Sequence, residues 1–396
     1  MKSFYLVALL ALISTSLHAQ VGIGTTTPKS FFNVAADKEV LFGGSMSGTG
    51  SKLIWYPVQG SFRVGYIDGS QWDPAQIGVT SFAAGRNTIA SGQNATALGF
   101  SSIASGLTAI AMGQDNAASG NSSVTIGDNN TASGSAAIAI GRGNLASSLN
   151  SIAIGYGNTS SRFYSTAIGN TSTANGYNSM ALGIQAIASG DYSTAMGNYV
   201  STTNQNGSFI IGDLSTDLYS NTTYNQMMMR FRGGYILYST APASQAAAVG
   251  VKLAPGSNAW QTLSDSTRKE NFRSVDGASF LNKIASLRLG SWNYKGQDVK
   301  QYRHYGPMAQ DFFAAFGHDE LGIIGEAKSI NQADFDGVNL IAIQALIKEV
   351  QQLKADNSQL KAKVETYEAR FNKLESGFNL PSDQSVITLK PLESPF

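Results

Sequence analysis

The residues with the most chemical reach lie in SDSTRKENFRSVD, which begins at Ser264, where charge returns after a long, nearly uncharged stretch. Ser264, Ser266 and Thr267 offer hydroxyls, Lys269 an amine, Asp265 and Glu270 carboxylates. A serine hydroxyl is a poor nucleophile until a nearby base takes its proton, and a neutral lysine can do so. Lysine's ordinary pKa near ~10.4 must then fall by about three units, a cost of roughly 4 kcal/mol that desolvation can impose. More than one pairing is open. Ser266 and Lys269 spell S-x-x-K, but the SDN and KTG sequences that accompany that spacing in acylating enzymes do not follow. Ser264 and Lys269 are too unfavourably spaced to share a helix face, so that pairing needs Ser264 to lie ahead of the turn or helix carrying Lys269. Thr267 and Glu270 fit a capping box, which would make the segment a helix start without catalysis. His304 could assist a serine–lysine pair or be structural. His304 and His318 lack zinc-site spacing, and Met227-Met228-Met229 suit packing between chains better than a thioether metal site. With no cysteine in the chain, no thiolate site is available, and neither a metal nor a cofactor is expected.

These residues need elements to hold them. The sharp change in composition at Ser264 marks a domain boundary. Residues 264–342 read as a small α+β domain, and residues 343–376 as a helix with a heptad pattern. Ile343, Val350, Asn357, Val364 and Phe371 occupy one core position, with Leu346, Leu353, Leu360, Tyr367 and Leu374 at the other. A sustained heptad predicts a coiled coil. Its single core Asn leans towards two strands, although the remainder of the chain points to three. Residues 213–263 read as a β-rich neck, and residues 377–396 as a tail without a legible pattern.

Ahead of the neck, residues 82–212 repeat every fourteen residues. Closing glycines fall at Gly85, Gly99, Gly113, Gly127, Gly141, Gly155, Gly169, Gly183 and Gly197, and a second set seven residues on includes Gly92, Gly106, Gly120, Gly134, Gly176 and Gly190. A fixed short period predicts a solenoid of stacked coils. Triplets such as Ile138-Ala139-Ile140 and Ile152-Ala153-Ile154 alternate large and small, the mark of a strand with two unlike faces. A second short strand ends at Ala90, Ala104, Ala118, Ala132, Ala146, Ala174 and Ala188. Glycine is expected at the corners. Nine coils at ~4.8 Å make a rod on the order of 40 Å long. So small a coil encloses little, and the alanine face is expected to pack against copies of the chain, leaving positions such as Asn158 exposed.

This pattern resembles the YadA-like head of trimeric autotransporter adhesins, in xAxG and ASG elements, period and register. The resemblance implies a homotrimeric bundle of parallel β-rolls with a surface protein or glycan as ligand. Gly141-Arg142-Gly143 imitates a dinucleotide fingerprint, but the repeat already accounts for those glycines.

The opening of the chain reads as a secretory signal over residues 1–19: Lys2, the apolar run Phe4–Ile13, then Leu17-His18-Ala19. That run is too short to span a bilayer, and no other stretch approaches the length required, so no membrane span is expected after processing. Residues 20–81 read as a β-rich lead-in. A formal net charge of +1 argues against nucleic-acid partners. Scattered Asp115, Asp128 and Asp191 do not suggest a glycosidase pair.

After Ser264, the ordered set Arg303-His304-Tyr305, GPMAQDF (306–312) and Asp336-Gly337-Val338 leading into LIAIQALIKEVQQL resembles the intramolecular chaperone of endosialidases and other tail-fibre proteins. That family is a trimeric, self-cleaving serine peptidase module. The resemblance implies that Ser264, the serine of the SD pair, is the nucleophile, that Lys269 is its partner, and that the chain is cut between Leu263 and Ser264. It also sets a histidine beside this motif, here His304. The expected protein is therefore mainly β: a secreted or cell-surface homotrimeric fibre whose carboxy-terminal chaperone cuts itself off. A structural surface or phage-derived appendage component with an inactive chaperone is the alternative.

Overall fold

A computed structural model describes residues 21–240 and 248–377. The leader expected at residues 1–19 and the tail from residue 378 lie outside the described residues. The fold is mainly β and divides into two units, the first centred on residues 21–235 and the second on residues 259–377.

In the first unit each fourteen-residue repeat makes one coil with a five-residue and a two-residue strand, such as Ile138–Arg142 and Leu145–Ala146. Like strands pair in parallel with no slip: Ile138 opposite Ile152, Ala139 opposite Ala153, Gly141 opposite Gly155. Among the described residues this builds a fourteen-strand sheet and a ten-strand sheet facing each other. The ladder begins before the repeat, where the hairpin Gly50–Tyr56 and Ser61–Ile67 pairs with Phe82–Arg86. It also runs past Gly212, since Phe209–Gly212 pairs with Met227–Arg230. The amino-terminal end is plugged by larger groups. Trp72 is fully buried beside Ile54 and Ile67 and donates from its indole to the Thr88 carbonyl at 2.8 Å. The buried Arg63 occupies the column that alanine fills elsewhere, opposite Ala83, and donates to the carbonyls of Ser81 and Ala90 at 3.0 Å. Burial pulls its guanidinium down to about 10.

Two expectations about the coil are corrected. The alanines do not face other chains. Ala83, Ala97, Ala111, Ala139, Ala153, Ala167, Ala181 and Ala195 line the coil's own interior, fully buried. The larger flanking residues Ile138, Ile140, Ile152 and Ile154 point outward, half-buried. A fourteen-residue coil is too narrow for them, so the small residue goes inside. Nor is Asn158 exposed. It is fully buried, for reasons given below.

The corners use glycine as expected, but share the turning with other residues. The sharp turns are made by mostly non-glycine residues in the left-handed region, two positions after each repeat's closing residue: Asn87, Asn94, Ser101, Thr108, Asp115, Ser122 and onward. Asn and Asp tolerate this conformation best. The closing glycines from Gly85 to Gly197 meet the expectation twice over, with φ between +107° and +137° and with no room for a side chain between coils. A Cβ on Gly141 would stand 2.1 Å from the carbonyl oxygen of Gly155, and one on Gly120 would stand 1.9 Å from that of Gly134.

The second unit holds the strands Tyr235–Tyr238, Gly250–Leu253 and Gln261–Thr262 in one small sheet. Three helices follow: α1 (Gly277–Ala285), α2 (Ala309–Phe316) and α3 (Gln332–Gly377). α3 begins ahead of Asp336, and its heptad residues from Ile343 to Leu374 are exposed. The rings of Phe280, Phe312, Phe316 and Phe335 make a chain of contacts at 5.1–5.7 Å. Phe280, Phe312 and Phe316 border an apolar cavity of about 260 Å³. Between residues 259 and 377, Pro307, Phe312, Phe316, Gly317 and Ala342 are the buried ones. No helix among the described residues is long and apolar enough to cross a membrane.

Candidate functional site

The serine and lysine stand at the junction between a strand and a turn. The strand Gln261–Thr262 pairs antiparallel with Gly250–Leu253, and the Leu263 amide reaches the Gly250 carbonyl at 3.4 Å. The chain then enters a 3-10 turn, Ser266–Arg268, rather than an α-helix. Asp265 caps that turn. Its carboxylate accepts from the Thr267 amide at 2.9 Å and from the Thr267 hydroxyl at 2.8 Å. The amide bond foremost, then the hydroxyl bond, holds the Asp265 carboxyl below the usual carboxylate range. Thr267 and Glu270 therefore form no capping box, and Asp265 neither orients the lysine nor hangs free in solvent.

One tight turn brings the chain back on itself. The Lys269 amide donates to the Ser266 carbonyl at 3.2 Å, closing the turn. The Lys269 ammonium Nζ then lies 2.6 Å from Ser264 Oγ. The ammonium thus meets the hydroxyl of Ser264, not that of Ser266. Spacing that rules out a shared helix face still allows a short turn to close the pair. Arg268 ties the turn to the chain upstream through the Ala248 carbonyl at 3.2 Å. Both Ser264 and Lys269 are exposed in the single chain, and Leu263 is half-buried.

His304 lies elsewhere in its own setting. It pairs with Trp292 across the strands Gly290–Trp292 and His304–Gly306, and its ring contacts Trp292 at 4.8 Å and Tyr294 at 5.8 Å. No hydrogen bond among the described residues joins it to Ser264 or Lys269. His318 packs on Phe313 at 5.0 Å.

The first unit holds a polar constellation that sequence reasoning missed. Asn116, Asn130, Asn144 and Asn158 are all but completely buried, one above another, fourteen residues apart. Each side-chain amide donates to a glycine carbonyl one coil on, as Asn144 does to Gly155 at 2.7 Å. The side-chain oxygen of Asn144 accepts from both the backbone and the side chain of Asn158 at 3.0 Å. Ser172 takes the same place and reproduces two of these bonds, to the Gly183 carbonyl at 2.9 Å and from the Ala186 amide at 3.3 Å. The signal was in the sequence, as a polar column directly after the left-handed residues of one corner, from Thr88 to Ser172.

Comparison by family model agrees with both halves of the sequence reading. Residues 77–199 match the YadA head domain repeat in seven overlapping segments. Residues 264–319 match the chaperone of endosialidase, a match that starts at Ser264 itself. No curated protein matched the chain as a whole. The chain thus combines YadA-type head repeats with an endosialidase-type chaperone domain, the makeup of an adhesin- or tail-fibre-like protein.

Proposed function

We propose that the chain is a secreted, homotrimeric surface fibre whose head adheres to a surface protein or glycan. Its carboxy-terminal domain assembles the trimer and then cuts itself off between Leu263 and Ser264. The observation that carries the chemical reading is the 2.6 Å contact between Lys269 Nζ and Ser264 Oγ. Ser264 Oγ attacks the Leu263 carbonyl carbon as neutral Lys269 takes the hydroxyl proton. The Leu263–Ser264 C–N bond breaks, and the amine of Ser264 leaves with a proton, so the acyl group moves from nitrogen to oxygen. Lys269 next activates water, which opens the ester and frees the Leu263 carboxylate and the Ser264 hydroxyl. His304 is assigned to packing in this scheme, because its neighbours are Trp292 and Tyr294.

Trimer formation is supported by what each unit leaves uncovered. A domain of more than a hundred residues does not stand on the few buried residues found between 259 and 377. The exposed heptads of α3 supply a three-stranded coiled coil, and the outward isoleucines of the roll supply a face for copies of the head. Assembly also supplies the desolvation that a neutral lysine needs, since the pair is open to solvent in one chain. That same exposure favours the second reading, a structural appendage component with an inactive chaperone. Intact mass of the purified protein, with and without Ser264→Ala, separates the two. Binding of labelled full-length Ser264→Ala protein to bacterial and host cell surfaces tests the adhesive role.

A further inference from the structure

The adhesive reading of the head leaves open where a ligand sits, and one corner of the roll differs from the others. Along this corner the residues following the second glycine of each coil, or Ser148 and Arg162 in its place, are Gln93-Asn94, Leu107-Thr108, Asn121-Ser122, Ser135-Ala136 and Leu149-Asn150. Then come Phe163-Tyr164, Tyr177-Asn178 and Asp191-Tyr192. Four rings thus gather over three adjacent coils. All four are exposed, Tyr192 at 71% and Tyr164 at 54%.

Their backbone makes the choice of residue informative. Tyr164 and Tyr192 sit at φ +59° and +56°, in the left-handed region where neighbouring coils use Asn, Ser or Thr. Bulky side chains avoid that region, and here they bury little of their own surface in return. Strain of this kind, unrepaid by packing, points to a role outside the fold. The other two rings are held in place. Phe163 meets Tyr177 edge to face at 5.7 Å, and the Arg162 guanidinium lies 5.1 Å over the Tyr177 ring. The Tyr177 amide is fixed by the Asp191 carboxylate at 2.9 Å.

We propose that this ridge binds a neutral polysaccharide, laid along the stacked coils with sugar faces against the tyrosines. The proposal rests on the adhesive reading and names its ligand class. Rigid rings with a polar tip give broad apolar contact at small entropic cost, and hydroxyl and amide groups beside them suit sugar hydroxyls. Tyr164 and Tyr192 stand two coils apart, about 9.6 Å, which spaces them as successive contacts on an extended chain. Charge matches a neutral ligand, because one arginine and one aspartate balance and both already have partners within the ridge. A peptide added as an extra strand is disfavoured, since the strands here are paired on both sides.

The test uses native gels cast with glucomannan, with arabinoxylan, or with gelatin as a polypeptide probe. Full-length Ser264→Ala protein is run beside the same protein carrying Tyr164→Asn and Tyr192→Asn. Asparagine occupies the matching place at Asn94, Asn150 and Asn178, so the double variant keeps its circular dichroism and melting temperature. Retardation by a neutral glycan that weakens about tenfold or more in the double variant supports the ridge. Phe163→Leu, which copies Leu149, gives an intermediate loss. Retardation by gelatin alone, retardation that survives both tyrosine changes, or no retardation by either glycan overturns it. Cell-surface binding by the same full-length Ser264→Ala protein keeps the two readings apart: if cells are bound while the glycans are not, adhesion stands and the ridge assignment falls.

Discussion

The asparagine column inside the roll permits a worked prediction. Asn144→Ala takes away the one acceptor that the Asn158 backbone amide has among the described residues, and the donor to the Gly155 carbonyl. An orphaned buried amide costs about 1–3 kcal/mol, and each lost bond adds about 1 kcal/mol, so the expected destabilisation is about 3 kcal/mol. Asn144→Ser is the internal control. Ser172 already shows that serine at this place reaches one carbonyl and one amide, so the bonds between side chains and the one to the Ile140 carbonyl are lost. That change should cost about 1 kcal/mol. Urea unfolding of full-length Ser264→Ala protein measures both, and hydrogen exchange locates the effect at the Asn158 amide. A loss under about 0.5 kcal/mol for Asn144→Ala, the range of ordinary surface changes, would refute the reasoning, as would equal losses for Ala and Ser.

Other perturbations follow from the same structure. Gly155→Ala should destabilise by on the order of 4 kcal/mol or more, because its Cβ would stand 2.1 Å from the Gly169 carbonyl at φ +119°. Gly143→Asn, at φ +66° with open space around it, should be neutral or mildly stabilising in the same unfolding measurement. Leu353→Asp should convert trimers to lower species in sedimentation and slow cleavage with them, and unaltered trimers would remove the coiled coil from the account. Asp265→Ala should loosen the turn and slow cleavage. Since its carboxyl is held below the usual range, the cap is intact above ordinary carboxylate pH and is lost as pH falls through the lowered value. Cleavage that keeps the parent rate in Asp265→Ala would dissociate the turn from the chemistry.

Much of this was legible in the residues, for physical reasons. The fourteen-residue period set strand number and register, because identical neighbours one coil apart must pair. The SD pair and the lysine five positions on were readable through resemblance, and a 3-10 turn brings them together. What alternation does not reveal is which face turns inward. Hydrophobicity alone favours isoleucine inside, and only the width of the coil reverses that choice in favour of alanine. Glycine's place at the corners was legible, since positive φ and close approach both demand it, whereas the share of the turning taken by residues such as Asn87 and Asp115 was not. Asn158 looked exposed because asparagine is usually a surface residue. Its burial depends on a partner in each adjacent coil, which a single repeat does not display.

The central claim is that assembled trimers cut themselves once, at Leu263–Ser264, through the Ser264–Lys269 pair. Intact mass spectrometry of purified protein, paired with sedimentation, tests it most directly. Wild-type protein should give a fragment of residues 264–396 and its amino-terminal complement, with no turnover on added peptides. Ser264→Ala and Lys269→Ala should each stay full-length as trimers, while Ser266→Ala should still cut. Wild-type trimers that remain intact, or cutting that survives Lys269→Ala, would contradict the account and leave the carboxy-terminal domain a chaperone alone.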